Sequence, residues 1–262
     1  MSVNSHLNDL SSKLNLKQDE KDKVKKSIDT LSDRLTSYFD GQLKGHFKFG
    51  SYTRGTILPR KADEESDIDY MVIFTNPYNY KPQTLLNHLK NFVNHYYHSS
   101  EIRQSHPTIV LELNHIKFEL VPAKKDILDN IYIPSRSSFF EEWIKTDPNA
   151  FNKKLTDANV RQYNQIKPLV RLMKYWNRLN GSYRSSYELE NWIVQNYYYN
   201  CVTLKDFVYD TFEKLTYNYS DRQGYKDKVD RAKKIIDKTK EYERDNMPYT
   251  AKAEIKKLFP DF

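Results

Sequence analysis

The sequence is poor in cysteine and in long apolar segments. Cys201 is the single cysteine among 262 residues, which excludes an internal disulfide and a zinc cluster made of cysteine ligands. No segment approaches the roughly 18 consecutive apolar residues that span a bilayer. The N-terminal segment lacks a basic stretch followed by an apolar one, so no signal peptide is expected. We therefore expect a cytoplasmic protein with no membrane partner.

Positive charge is in excess, since 42 Lys and Arg residues against 35 Asp and Glu residues give a net charge of +7. Such a balance favours polyanionic partners, including nucleotides and nucleic acids. Lysine-rich surface helices that only keep a protein soluble have the same composition. Tyrosine is also frequent, with 21 residues, and its ring can stack on a base or pack half-buried in an ordinary core. Composition therefore leaves binding and solubility both open.

The apolar pattern predicts a long helix at the start of the chain. Val24, Ile28, Leu31, Leu35 and Tyr38 recur at alternating spacings of four and three residues, which is the spacing of one helical face. The helix is expected to cover roughly the first forty residues and to end at the glycines that follow.

The middle of the chain is predicted to form a mixed sheet. Short alternating segments predict strands at 46–49 and 68–74. The segments 108–113 and 116–121 predict a hairpin, and Pro122 is expected to end its second strand.

The chain from about residue 139 onward is predicted to be helical, and Pro168 is expected to kink or divide a helix over 159–179. A mixed-sheet lobe at 1–135, with the N-terminal helix as a bridge, is then expected to precede a helical lobe at 136–262. This is an α/β (α+β) bilobed fold, in which a cleft between lobes is a common place for ligands. Further helices are predicted at 85–97, 187–199, 204–215, 221–244 and 250–259.

The first chemically informative pair is Asp67 and Asp69 on the predicted strand 68–74. Residues two apart on a strand point to the same face, so the two carboxylates converge while Ile68 points into the core. Converging carboxylates repel unless a cation lies between them, and Mg²⁺ prefers oxygen ligands. An isolated Asp-x-Asp also occurs at the solvated start of a strand, so the pair alone does not decide.

Gly50 and Ser51 precede this pair and follow the predicted strand 46–49. Glycine permits a close approach of the backbone, and Ser51 can offer its N–H and hydroxyl to a phosphate, especially where a short helix begins. Arg54 adds a nearby positive charge. A turn closed by a capping serine has the same residues, but Gly-Ser after one strand and Asp-x-Asp on the next is a stronger signal for a phosphate and metal site.

A third carboxylate is expected, and Glu119 is the best candidate. It is the acidic residue on the otherwise apolar end of the predicted strand 116–121, where an unpaired buried carboxylate would be costly. Glu112 on the preceding strand is the alternative, and it is also consistent with a residue that faces solvent.

Together these motifs resemble the polymerase-β nucleotidyltransferase superfamily. The resemblance is carried by Gly-Ser-x-x-x-Gly-Thr at 50–56, by the Asp-x-Asp pair at 67–69 and by the segment in which Glu119 precedes Leu-Val-Pro. Within the superfamily the sequence is most similar to the bacterial cGAS/DncV-like nucleotidyltransferases of anti-phage signalling operons, over roughly residues 45–200. The family usually has Asp at the third acidic position, and Glu119 departs from that pattern.

The resemblance implies roles for three residues of the helical lobe. Lys174 and Ser186 would contact the triphosphate of a bound nucleotide, and Tyr187 would stack on a base. From the residues alone, Lys174 also fits a solvated helix lysine, Ser186 an N-cap and Tyr187 a packing tyrosine near the start of a helix.

The resemblance also implies two-metal chemistry. Asp67 and Asp69 would hold two Mg²⁺ ions, with Mn²⁺ as an alternative, and Glu119 would bind the ion that activates the attacking ribose hydroxyl. Ser51 and Lys174 would hold the phosphates of the donor nucleotide.

Residues 53–61 most resemble the clade-E enzymes, which include those encoded beside bacterial STING-like receptors. This implies that GTP, ATP or both are joined into a cyclic dinucleotide, with cyclic di-GMP the best guess. The product would act on a separate effector protein, and no nucleic acid would be obligatory. Three alternatives stay open: transfer of nucleotides to RNA ends, a protein or an antibiotic; a nonenzymatic nucleic-acid-binding module; and a degenerate nucleotidyltransferase that binds nucleotides without turnover.

Overall fold

A mixed β-sheet is the first architectural feature of the computed structural model, which describes residues 2–76, 78–105, 107–135 and 142–262. Its strands run in the order β1-β2-β5-β4-β3, and β6 and β7 extend it from β5. Within the described residues the strands are β1 (Leu43–Phe49), β2 (Asp67–Phe74), β3 (Glu101–Ser105), β4 (Thr108–Leu113), β5 (Ile116–Lys125), β6 (Ile131–Pro134) and β7 (Trp143–Thr146).

The pairing of β2 with β5 makes the sheet mixed, because it is parallel whereas the other pairs are antiparallel. The predicted hairpin is confirmed, with Leu113 opposite Ile116 at its turn. The prediction that Pro122 ends its strand is wrong, since β5 continues to Lys125. Pro122 is tolerated because the register of β5 with β4 stops at Leu120, so its missing N–H falls beyond that ladder.

Helices make up most of the remaining described chain, and none of them is both long enough and apolar enough to span a bilayer. They are α1 (Val3–Lys13), α2 (Gln18–Tyr38), α3 (Gly50–Arg54), α4 (Pro82–Tyr96), α5 (Pro148–Arg161), α6 (Ile166–Leu179), α7 (Ser186–Gln195), α8 (Leu204–Lys214), α9 (Gln223–Arg244) and α10 (Pro248–Ile255).

Contacts group the chain into two compact units. The sheet unit consists of Leu16–Arg60 and Glu64–Asn152, and the helical unit of Met1–Asn15, Lys61–Asp63 and Lys153–Phe262. The division into a lobe at 1–135 and a lobe at 136–262 stays a prediction. Residue 136, at its boundary, lies outside the described ranges.

The N-terminal helix is divided, which corrects the prediction of one continuous helix. The backbone N–H of Lys17 donates to the Glu20 carboxylate at 2.8 Å, and this capping interaction begins α2 as a separate helix. The physical reason for the division is that the two helices serve different cores. Leu7 and Leu10 of α1 are buried in the helical unit, whereas the stripe that includes Leu31 is the buried face of α2 in the sheet unit.

Two further predictions need correction. The chain after about residue 139 is not wholly helical, because β7 pairs with β6 before α5 begins; residues 139–141 lie outside the described part. The helix predicted over 159–179 is divided, as Pro168 suggested, but the division lies between Arg161 and Ile166. Pro168 itself is in the first turn of α6, where a missing N–H costs no helical hydrogen bond.

Alternation along the strands separates the two faces of the sheet. One face supplies Ile68, Tyr70 and Val72 of β2 to the main core, where they pack with Phe118 and Leu120 of β5. The opposite face carries a smaller apolar cluster of Met71, Ile73 and Ala123. The aspartates of β2 share this opposite face at the start of the strand, so the main core holds the sheet rigid without including them.

Candidate active site

Asp67 and Asp69 stand at the start of β2 on the face away from the main core. Both are half-buried, whereas Ile68 between them is fully buried on the other face. This is the arrangement expected from the two-residue period of a strand. The aspartates are therefore held by a strand whose intervening residues are fixed in the core.

The parallel register of β2 and β5 sets Asp69 directly beside Glu119. Register partners on neighbouring strands project to the same face of a sheet, so the half-buried Glu119 joins the two aspartates. Glu112, the alternative third carboxylate, lies on β4 opposite Lys117. Its carboxylate forms an ion pair with Arg60 at 2.6 Å. We call Asp67, Asp69 and Glu119 the acidic cluster.

Gly50 touches the acidic cluster from the end of β1. Phe49 is the register partner of Asp69, so the next residue turns directly over that aspartate. A Cβ atom on Gly50 would lie 1.8 Å from Asp69 Oδ2, and the backbone there has a φ of +73°. Both facts require glycine. Ser51 follows as the second residue of the short helix α3, and it is half-buried.

Arg54 does not face solvent. It is buried at the end of α3. Its guanidinium lies 5.1 Å from the ring centroid of Phe151 and donates to the Asn152 side chain at 3.4 Å. These contacts tie α3 to the first turns of α5 within the sheet unit.

Lys117 is a charged neighbour of the acidic cluster that the sequence analysis missed. It is buried on β5, with Asp67 as its register partner on β2. Its Nζ atom lies 2.9 Å from Glu65 Oε2 and 3.7 Å from Asp67 Oδ2. The two-residue period was a usable signal, because Lys117 precedes Glu119 by two and so shares its face.

In the helical unit, Lys174 is buried. This corrects the interpretation of Lys174 as a solvated lysine on a helix surface. Its Nζ atom lies 3.4 Å from Oε1 of Glu190, a carboxylate with no exposed surface. Glu190 was not among the site residues predicted from the sequence. The spacing from Ser186 to Glu190, one turn along α7, was the signal that they share a helix face.

Ser186 and Tyr187 occupy the first turn of α7, and both are exposed. The N-cap is Ser185, which corrects the assignment of that role to Ser186. Ser185 Oγ accepts the Glu188 N–H at 3.2 Å, and the Glu188 carboxylate accepts the Ser185 N–H at 3.1 Å. Tyr187 is 56% exposed, so it is not a core residue.

The donors of the acidic cluster suit a hard cation such as Mg²⁺, since all are carboxylate oxygens on one face. Among the described residues, however, no three His, Cys, Asp or Glu side chains are gathered closely enough to enclose a metal ion. The chemistry of the donors and the glycine contact on Asp69 fit a divalent metal.

A family model described as "Second Messenger Oligonucleotide or Dinucleotide Synthetase domain" (SMODS) matches residues 1–159. The chain belongs to the SMODS family. The match covers α3, β2 and β5, and so it includes every residue of the acidic cluster. The acidic cluster is thus the candidate active site of a SMODS nucleotidyltransferase domain.

Two curated relatives are similar to this SMODS chain over part of their length. A probable cyclic nucleotide synthase of Bacillus cereus (strain VD146) is 33% identical over 111 residues, which are 40% of this chain and 32% of the relative. A cyclic AMP-AMP-AMP synthase of an Acinetobacter species is 25% identical over 140 residues, which are 52% of this chain and 40% of the relative. The chain therefore spans less than half the length of these relatives.

The fold is similar to that of Escherichia coli DncV in its 3′-deoxy GTP bound form. The TM-score is 0.72, and the match covers 93% of this chain and 92% of that one at 12% identity. At this identity the likeness establishes the fold alone. It confirms the predicted mixed α/β fold of the SMODS chain. The predicted resemblance to the bacterial cGAS/DncV-like nucleotidyltransferases is confirmed by the family match together with the cyclic nucleotide synthase relatives.

Proposed function

We propose that this protein is a Mg²⁺-dependent nucleotidyltransferase that joins ribonucleoside triphosphates into a cyclic oligonucleotide second messenger. The observation that carries the proposal is the parallel register of β2 and β5, in which Asp69 stands beside Glu119 with Asp67 on the same face. Membership of the SMODS family supports it, because that family is described by this product class.

In this proposal Asp67, Asp69 and Glu119 hold the metal, with Mn²⁺ as an alternative to Mg²⁺. Bound there, two ions would neutralise the phosphate charge and activate the attacking ribose hydroxyl. Rigid strand geometry presents the carboxylates to them without reorganisation, and this preorganisation is the source of most of the catalytic effect.

Ser51, Lys174 and Ser186 are proposed to hold the triphosphate, and Tyr187 to stack on a base. The exposure of Ser186 and Tyr187 is consistent with ligand contact. The burial of Lys174 against Glu190 supports a fixed ammonium group rather than a mobile surface lysine. The buried contacts of Arg54 with α5 favour an indirect role, in which it braces the helix that carries Ser51.

The substrates proposed are GTP, ATP or both. One relative is named a cyclic AMP-AMP-AMP synthase, and the DncV structure is described as bound to 3′-deoxy GTP. Cyclic di-GMP, which rests on the resemblance of residues 53–61 to clade-E enzymes, is the specific product proposed. The product would act on a separate effector, of STING-like type, in cytoplasmic anti-phage signalling.

Product analysis tests the proposal directly. The purified full chain is incubated with the four ribonucleoside triphosphates and Mg²⁺, without nucleic acid, and the products are identified by mass. We expect a cyclic product that resists phosphatase, released with pyrophosphate. Addition of nucleotides to RNA ends, or an absolute requirement for DNA or RNA, would overturn the proposal.

The third carboxylate has its own test. Glu119→Gln keeps the size of the side chain but removes its charge, so we expect turnover to fall at least about 100-fold while donor nucleotide binding is retained. Glu112→Gln is the matched control, because Glu112 is held by Arg60 on the same face of the sheet. A dead Glu112→Gln beside an active Glu119→Gln would move the third carboxylate to β4.

A further inference from the structure

Lys117 is a buried cation on the sheet face that carries the acidic cluster. Its side chain is 5% exposed, compared with 59% for Glu65 and 28% for Asp67. A buried ammonium group is costly unless it is paired. Lys117 meets this need with two carboxylates, one by hydrogen bond to Glu65 and one by charge across the strand pair to Asp67.

A row of charges crosses the sheet at Lys117. Its register partners are Asp67 on β2 and Glu112 on β4, but Glu112 has Arg60 as its own close cation. Glu65 is shared, since Arg103 Nη2 also lies 4.0 Å from its carboxylate. The positive charge of Lys117 therefore acts mainly on the carboxylates at the start of β2, Glu65 and Asp67.

We propose that Lys117 is a positioning residue that acts as the internal counter-charge of the active site, holding the Asp67 carboxylate in place and competing with a divalent cation for it. The inference rests on the proposed role of Asp67 as a metal ligand. An ammonium group 3.7 Å from a ligand oxygen repels an incoming cation and lowers the metal affinity. It also offsets the repulsion between neighbouring carboxylates while no metal is bound.

Direct metal binding tests this without reliance on turnover. Binding of Mn²⁺ to the full chain is followed by the electron paramagnetic resonance of the free ion, together with thermal melting in metal-free buffer and with Mn²⁺. Lys117→Met should bind Mn²⁺ at least about threefold more tightly than the wild type, because the competing charge is gone. Its melting temperature should fall without metal and recover more with Mn²⁺ than that of the wild type.

Two variants serve as controls. Lys117→Arg keeps the charge and should bind Mn²⁺ within about twofold of the wild type. Lys153→Met removes a lysine from the exposed Lys153–Asp157 pair, whose Nζ to Oδ2 distance is 3.2 Å, and should change neither readout. A merely structural lysine would give lower stability with no gain in metal affinity, and that result would overturn the inference.

A second route covers the case in which Lys117→Met does not fold. Glu65→Gln removes the other partner of Lys117 and leaves its charge to Asp67, so Mn²⁺ affinity should fall at least about threefold. Glu101→Gln removes a carboxylate from β3, with β4 between it and Lys117, and should have a smaller effect. Equal effects of the two variants would overturn the inference.

The failure of the proposed function is distinguishable from failure of this inference. If the Mn²⁺ affinity of the wild type is unaffected by Asp67→Ala, the metal assignment fails and the role of Lys117 fails with it. If Asp67→Ala abolishes binding while Lys117→Met leaves the affinity unchanged, only the role of Lys117 is overturned.

Discussion

The acidic cluster of the sheet unit and the Lys174–Glu190 pair of the helical unit differ in their relation to a hydrophobic core. In the sheet unit, alternation puts the carboxylates on one face and the main core on the other. In the helical unit, the buried ammonium and carboxylate groups lie among the buried residues of α6 and α7. Function and stability should therefore be separable in the first site and coupled in the second.

The largest expected effect separates function from stability in the sheet unit. The double variant Asp67→Ala with Asp69→Ala should lose at least about 1000-fold of product formation, because both metal-holding carboxylates are gone. Its melting temperature in metal-free buffer should change little, because relief of the repulsion between the carboxylates is offset by the loss of the Asp67 charge 3.7 Å from buried Lys117, which keeps Glu65 at 2.9 Å. If this variant forms product at a rate comparable to the wild type with Mg²⁺ present, Asp67 and Asp69 are not the metal ligands.

The helical unit should respond in the opposite way. Lys174→Met removes the ammonium group that lies 3.4 Å from the buried Glu190 carboxylate, and breaking a buried pair by removing one partner costs about 3–5 kcal/mol. Urea unfolding measures this loss. Lys174→Met combined with Glu190→Leu should recover much of the stability, because an apolar pair replaces the ionic one. If the double variant is no more stable than Lys174→Met, the two groups are not coupled.

Gly50→Ala sharpens the contrast inside the sheet unit, where it should affect both properties. The added Cβ would overlap Asp69 Oδ2 at 1.8 Å, so the aspartate must move and activity should fall by at least about tenfold. Strain at positive φ adds a loss of about 1–2 kcal/mol. Gly41→Ala is the matched control, since its φ is +70° and nothing lies within 4 Å of the new Cβ. It should lose stability only, as measured by urea unfolding and product assay.

Tyr187 should behave as a functional residue outside the core, although it lies in the helical unit. Tyr187→Ala removes a ring that is 56% exposed, so nucleotide affinity should weaken by about 1–3 kcal/mol if the ring stacks on a base. Tyr187→Phe should be mild. Titration calorimetry and thermal melting separate the outcomes: a stability loss of about 3 kcal/mol with intact affinity would identify a packing residue.

The smallest effect concerns the capping box of α7. Ser185→Ala should cost about 1 kcal/mol of stability, a typical value for an N-cap. The hydrogen bond from the Ser185 side chain lowers the pKa of Glu188 below its ordinary value of 4.5. A lowered folded pKa stabilises the protein above the ordinary pKa, and this contribution disappears as pH falls through the folded pKa. The difference between wild type and Ser185→Ala should therefore shrink as pH falls below 4.5, and a constant difference would contradict the assignment.

Secondary structure and the facing of side chains could be predicted from the sequence wherever they depend on the two-residue period of a strand or the 3.6-residue period of a helix. The alternation around Ile68 predicted the facing aspartates and the strand β2, and the stripe that includes Leu31 predicted the buried face of α2. The start of α7 was also readable, since Ser185 and Glu188 have the spacing of a capping box. The Ser185–Glu188 spacing identifies Ser185 as the N-cap, so the prediction of Ser186 as the cap was wrong although the pattern was present in the sequence.

By itself, the sequence determined the residue types and periods that make the acidic cluster available: Asp67 and Asp69 on one strand face, glycine before them, and a family pattern that covers them. Only the tertiary structure decided which strands are neighbours. The β2–β5 register sets Asp69 beside Glu119 and Asp67 beside Lys117, and the packing of α6 and α7 buries Lys174 with Glu190. The physical reason is that periodicity is encoded by adjacent residues, whereas strand order and burial depend on contacts between segments far apart in the chain, which no local pattern specifies.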